Sequence, residues 1–156
     1  MRNLNEGRQM ETNRLLLGPI RETDKDDYFI NISHDKKVLE TLEEFDFSSY
    51  PGRQDLFAIR RKETGRLIGI VNFFDEKDGS CEIGYGILEE HQGQGYATEA
   101  VQAACRWEFQ HPEVTALEAE TDPGNAPSHR VLEKCGFLPN GIIGEEGPCF
   151  SLPRWM

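Results

Sequence analysis

Glu89-Glu-His-Gln-Gly-Gln-Gly-Tyr-Ala-Thr-Glu-Ala100 is the stretch from which the fold can be read. Just before it, Ser80-Cys-Glu-Ile-Gly-Tyr-Gly-Ile-Leu88 reads as a strand. Just after its glycines, Ala97, Ala100, Val101, Ala104 and Cys105 recur at helical spacing. Residues 92–97 therefore turn a strand into a helix. Gly93 and Gly95 allow close approach of a ligand to the backbone and conformations that other residues resist. Amide N–H groups of such a loop can converge on an anion, and the helix start behind them adds roughly half a positive charge. The stretch describes a diphosphate cradle. Taken alone, two glycines equally fit a plain strand–turn–helix. Gly93-x-Gly95 also opens a dinucleotide-type G-x-G-x-x-G pattern, but Thr98 stands where its third glycine would be. The strands before it look antiparallel rather than like the start of a βαβ unit.

Working outward, Leu56–Arg60 and Leu67–Phe74 flank Glu63-Thr-Gly-Arg66, a hairpin turn with Gly65 at the tight position. Asp78-Gly79 turns the chain again into Ser80–Leu88, giving three successive antiparallel strands. Upstream, Arg14-Leu-Leu-Leu-Gly-Pro-Ile20 reads as a strand. Thr23 and Asp26 resemble a capping signal. Tyr28, Phe29 and Ile32, then Val38, Leu39, Leu42 and Phe45, predict two helices, followed by a turn through Ser48, Ser49, Pro51 and Gly52. Downstream, His111-Pro112 stops the helix that runs through Ala97, and Val114–Thr121 reads as a strand. Asn125 is a good N-cap, with Pro127 in the first turn; Val131, Leu132 and Cys135 share a face, and Gly136 ends the helix. Two final strands turn near Glu145–Pro148. The order β-α-α-β-β-β-α-β-α-β-β predicts an α/β protein of the α+β mixed-sheet kind: a central, mostly antiparallel twisted sheet flanked by helices. The strand–helix–strand unit around Ala97 supplies one parallel or crossover pairing. Residues 1–12 read as a flexible leader and 13–156 as a single domain, a size usual for one core.

Net charge of -11 argues against a general nucleic-acid binder, which needs a basic face. It fits a solubility charge, or an acidic surface that steers cations. No apolar run approaches the ~20 residues that cross a bilayer, and the first residues lack a secretory core, so a cytoplasmic protein away from membranes is expected. The four cysteines form no C-x-x-C pair and no zinc spacing, so they read as reduced thiols, and no metal is expected.

Four segments together resemble the GNAT superfamily of acetyl-CoA-dependent N-acetyltransferases. Gln92-x-x-Gly95-x-Ala97 looks like its acetyl-CoA signature. Glu82-Ile-Gly-Tyr-Gly-Ile-Leu88 resembles the preceding strand. Asn125-Ala-Pro-Ser-His-Arg-Val-Leu-Glu-Lys-Cys-Gly-Phe137 is similar to the downstream Asn-x-x-Ser…Glu-Lys-x-Gly-Phe segment. Thr12-Asn-Arg-Leu-Leu-Leu17 looks like the opening strand of the branch that acts on ribosomal-protein N-termini (the RimJ/RimL type) and of relatives that modify other amines. The segments span most of the chain and occur in the family's order. They imply the GNAT acyltransferase fold, acetyl-CoA as co-substrate, and an amine acceptor, either a protein N-terminus or a small molecule. They leave a homodimer open. A module that binds acyl-CoA without turnover is the competing reading.

The resemblance also implies roles. Amides of Gly93, Gln94, Gly95, Tyr96 and Ala97, with Gln92 and Thr98 beside them, would bind the pyrophosphate. The backbone of Ile87 and Leu88 would pair with the pantetheine arm as an added strand. Asn125 would contact that arm, or serve as a helix cap, or both. Arg130 and Lys134 would reach the nucleotide phosphates or simply face solvent. Direct attack by a neutral amine needs a base for its proton and help for the tetrahedral intermediate and departing thiolate. Glu82 is the first candidate base, against a solvent-facing or salt-bridged strand residue; Glu118, Glu120 and His91 are alternatives. Leu132 stands where many relatives carry an acidic tyrosine. Ser128, and after it Tyr85, are then the candidates for meeting the sulfur, while Ser128 also fits a serine bonding its own helix backbone. Residues 34–51 would form part of the acceptor wall, where Glu40, Glu43, Glu44 and Asp46 would welcome a cation or merely face water.

Overall fold

The computed structural model describes residues 9–19 and 56–154. The two helices expected between Thr23 and Phe45, and the acidic stretch expected in the acceptor wall, lie outside the described residues.

Strands β1 (Met10–Glu11), β2 (Leu15–Gly18), β3 (Leu56–Arg61), β4 (Leu67–Lys77), β5 (Ser80–Ile87), β6 (Ala116–Glu120), β7 (Leu138–Ile143) and β8 (Pro148–Pro153) form one sheet, with helices α1 (Tyr96–Glu108) and α2 (Ala126–Lys134). Their order is β1-β2-β3-β4-β5-β6-β8-β7. Neighbours are antiparallel except β5 and β6, which run parallel after the α1 crossover. β1 falls inside the stretch read as leader and pairs Met10 with Leu17.

Local chemistry explains the meander β3-β4-β5. Gly65 turns the first hairpin at φ 71°. Asp78 and Gly79 turn the second with φ 53° and 89°. Two consecutive positive φ values suit the right-handed strand twist, and Asp-Gly is among the pairs that adopt them most easily. β5 alternates its faces. Cys81, Ile83 and Ile87 are buried with the α1 residues Ala100, Val101, Ala104 and Cys105. Glu82, Gly84 and Gly86 belong to the opposite face. Leu117 and Ala119 extend the same core through β6, and Leu132 and Phe137 bring in α2 and the chain after it.

The feature that positions the site is a split in the sheet. β5 pairs with β6 only at Ser80↔Ala116, Cys81↔Leu117 and Glu82↔Glu118. Residues 83–87 run on beside β4 alone, while β6 continues beside β8 only.

Candidate active site

At the split lies a cleft of about 460 Å³, lined by β5, the loop before α1, and the start of α2. Sequence-predicted residues Tyr85, Ile87, His91, Gln92, Gly93, Gly95, Tyr96, Ala97, Thr98, Asn125, Ser128, Arg130 and Lys134 all line it. Residues 85–98 and 125–134 thus meet in one cleft.

The loop has the conformation its glycines allow. Gly93 and Gly95 sit at φ 77° and 83°, in the left-handed region. Gly95 is also the N-cap of α1. The first bond of that helix runs from Glu99 N to Gly95 O at 3.1 Å, so the amides of Tyr96, Ala97 and Thr98 precede its ladder. These donors, with the positive end of α1, suit an anionic diphosphate.

β5 offers its own free edge. Leu88 N donates to Ile68 O at 2.7 Å. Because main-chain groups alternate between the two edges of an antiparallel strand, Tyr85 and Ile87 then face the split. Gln92 Nε2 caps the Ile87 carbonyl at 2.9 Å, which confirms that direction. One expectation is corrected here. The Leu88 amide is committed to β4 and its carbonyl accepts from His91 N at 2.8 Å, so the main-chain groups that face the split are those of Tyr85 and Ile87.

Two hydroxyls meet in the cleft: Tyr85 Oη and Ser128 Oγ lie 2.8 Å apart. Ser128 is brought there by the cap of α2, where Asn125 Oδ1 accepts from Ser128 N at 3.2 Å. The Ser128 hydroxyl thus meets a partner across the cleft. Burial pushes the Tyr85 phenol from its ordinary 10.0 to about 12, against the Ser128 bond that lowers it. The phenol stays protonated at neutral pH and can donate. Leu132 is fully buried in the core, so α2 presents no tyrosine at that position.

The candidate bases are placed differently. Glu82 is not among the cleft-lining residues; it stands at the last paired position of the split, flanked in register by Phe74 and Glu118. Alternation puts it on the sheet face opposite Tyr85. Glu118 is exposed. Glu120 Oε1 accepts from Glu146 N at 3.0 Å and so holds the β7–β8 turn. His91 lines the cleft with its ring 6.5 Å from that of Tyr96.

Sequence reasoning missed a group behind the loop. Arg14 Nη1 donates to Gln94 O at 2.9 Å, and Arg14 Nε to Glu99 Oε1 at 2.7 Å. Glu99 Oε2 accepts from Arg14 N at 2.9 Å and also takes the Thr12 hydroxyl. The Arg14 guanidinium lies 4.3 Å from the centre of the Tyr96 ring. Among the described residues, no His/Cys/Asp/Glu group could hold a metal ion, and no helix is long and apolar enough to cross a membrane.

Comparison with known proteins gives the family. A family model described as acetyltransferase (GNAT) domain matches residues 14–138. Among curated relatives, the uncharacterized N-acetyltransferase p20 of Bacillus licheniformis is 31% identical over 117 residues, 74% of this chain and 64% of that protein. The ribosomal-protein-serine acetyltransferase of Escherichia coli is 30% identical over 94 residues, 59% of this chain and 51% of that protein. The chain thus spans less than two thirds of the length of each. Among solved structures, spermidine N-acetyltransferase from Vibrio cholerae in complex with CoA and spermine superposes with a TM-score of 0.72 at 18% identity, over 91% of this chain and 94% of that one. The chain, with its split mixed sheet and glycine loop at the head of α1, belongs to the GNAT acetyltransferase family.

Proposed function

We propose that this chain transfers the acetyl group of acetyl-CoA to a primary amine by direct attack. One observation carries the reading: the open edge of β5 runs beside the loop amides and ends at the Tyr85–Ser128 pair. An extended pantetheine arm would lie along Tyr85 and Ile87, the diphosphate would lie on the amides of residues 93–97, and Arg130 and Lys134 would approach the nucleotide phosphates.

In the reaction the amine nitrogen attacks the thioester carbonyl and a C–N bond forms. The tetrahedral intermediate collapses, the C–S bond breaks, and the thiolate takes a proton. Tyr85, directly or through Ser128, supplies that proton. The proton lost by the amine goes to Glu82 or to water beside it. Support for Glu82 is its face: it stands at the mouth of the split on the side away from α1, the side left for an acceptor once the cofactor fills the cleft. Amine chemistry of this kind is named for two similar proteins, which act on a ribosomal protein and on spermidine. The acceptor here is accordingly a protein N-terminus or a small amine. Free cysteines at all four positions fit a reducing compartment such as the cytoplasm.

Thiol release from acetyl-CoA should rise on adding members of an amine panel that includes N-terminal peptides, polyamines and aminoglycosides. CoA binding without release across the panel would point instead to a non-catalytic acyl-CoA-binding module. Absence of both would end the reading.

A further inference from the structure

The cofactor loop is anchored from behind by a residue that the acetyl-transfer chemistry does not call on. Arg14 immediately precedes β2, 80 residues before the Gln94 carbonyl that it bonds. A trans peptide holds its C=O and N–H on opposite sides. When Arg14 Nη1 draws the Gln94 carbonyl toward β2, the Gly95 N–H of the same peptide turns the other way, and Gly95 lines the cleft. Arg14 thus sets the direction of a loop donor without touching the ligand.

The rest of the group keeps Arg14 from swinging away. Glu99, in the first turn of α1, holds both its Nε and its main-chain N. Thr12 bonds the same carboxylate oxygen, so the Thr12-x-Arg14 pair acts as one clasp on α1. The Arg14 guanidinium covers the buried Tyr96 ring, and Arg61 lies 5.8 Å from the same ring. Gly95 fits this clasp: a Cβ there would stand 3.2 Å from Arg14 Nη2.

We propose that Arg14 is a positioning residue for diphosphate binding: held by Glu99 and Thr12, it orders residues 94–96 so that their amides meet the phosphates of the acyl-CoA. This rests on the acetyl-CoA reading above and adds a determinant of donor affinity.

The test titrates CoA, and pantetheine as a probe lacking the diphosphate, into wild type, Arg14→Ala, Arg14→Lys and Glu99→Gln, with thermal unfolding as a folding check. Loss of one ordered donor set should weaken CoA binding of Arg14→Ala on the order of tenfold. Arg14→Lys keeps the charge but not the forked geometry and should recover only part of the affinity. Pantetheine binding should be unchanged in all variants. Equal losses for CoA and pantetheine, or CoA affinity equal to wild type, would overturn the inference. Should Arg14→Ala fail to fold, Glu99→Gln, which keeps Arg14 but loosens its clasp, gives the same ratio. A wild type that binds no CoA would instead strike the acetyl-CoA reading itself, and this inference with it.

Discussion

At the scale of single residues, Tyr85 shows how burial sets chemistry. An exposed phenol and a buried one are the same side chain. Here burial moves its ionisation from 10.0 up to about 12, against the bond to the Ser128 hydroxyl at 2.8 Å. Tyr85→Phe should lower kcat about a hundredfold, the usual worth of a positioned acid, with CoA affinity little changed; steady-state thiol release and calorimetry separate the two. The stability effect has a definite sign. Because the folded state favours the protonated phenol, its contribution is full below pH 10 and is lost as pH rises toward about 12. Denaturant melts across that range should show wild type losing more stability than Tyr85→Phe. Glu99 behaves in the opposite sense. Burial raises its carboxyl, but bonds from Thr12 and Arg14 and the Arg14 charge together bring it net below its ordinary range. The clasp is therefore intact above the ordinary carboxylate range and weakens as pH falls through it. Acid melts of wild type and Glu99→Gln should converge as pH drops.

At the scale of elements, α2 depends on its cap. The helix has nine residues, too few to be stable alone in water. Asn125 satisfies an orphan amide at its start and, by the same bond, sets Ser128 facing Tyr85. Asn125→Ala should cost about 1 kcal/mol of folding stability and also lower kcat, because the Ser128 hydroxyl loses its register. Chemical denaturation and turnover test the two effects together. A stability loss with turnover unchanged would show that Ser128 does not depend on the cap. The split between β5 and β6 is the other decisive element. β6 pairs with β5 at only three positions while β8 pairs its other edge along all five residues, and beyond Glu82 one edge of β5 is left open.

For the whole molecule, the cleft joins two parts of the chain that are distant in sequence: β5 with the loop that follows it into α1, and α2. A ligand there binds only the folded form. CoA at a hundredfold excess over its Kd should therefore raise unfolding free energy by about 2.7 kcal/mol, seen as a higher Tm. The hydrophobic core fixes these parts relative to one another. Leu117, fully buried on β6, packs in the same cluster as Ile83 on β5 and Leu132 on α2. Leu117→Ala should cost about 2–5 kcal/mol, read by urea denaturation.

Much of this organisation was legible in the linear chain. Glycines at 65, 79, 93, 95 and 136 marked turns and helix ends, because a positive φ is cheapest where there is no Cβ. Apolar spacing separated strands from α1, and Asn125 announced α2, since caps and periodicities are local properties. The glycine loop before α1 was visible for the same reason: its residues are consecutive. What the tertiary structure alone decided is everything that depends on two distant segments meeting. The Arg14–Glu99 clasp joins residues 85 positions apart, and no local pattern records which arginine finds which carboxylate. The direction of Ile87 over Leu88 toward the split depends on which edge β4 occupies. The Tyr85–Ser128 pair, and the opposite face given to Glu82, follow from strand alternation combined with the packing of α2. Local chemistry chose the elements; long-range packing of the core chose their neighbours, and the neighbours chose the chemistry of the cleft.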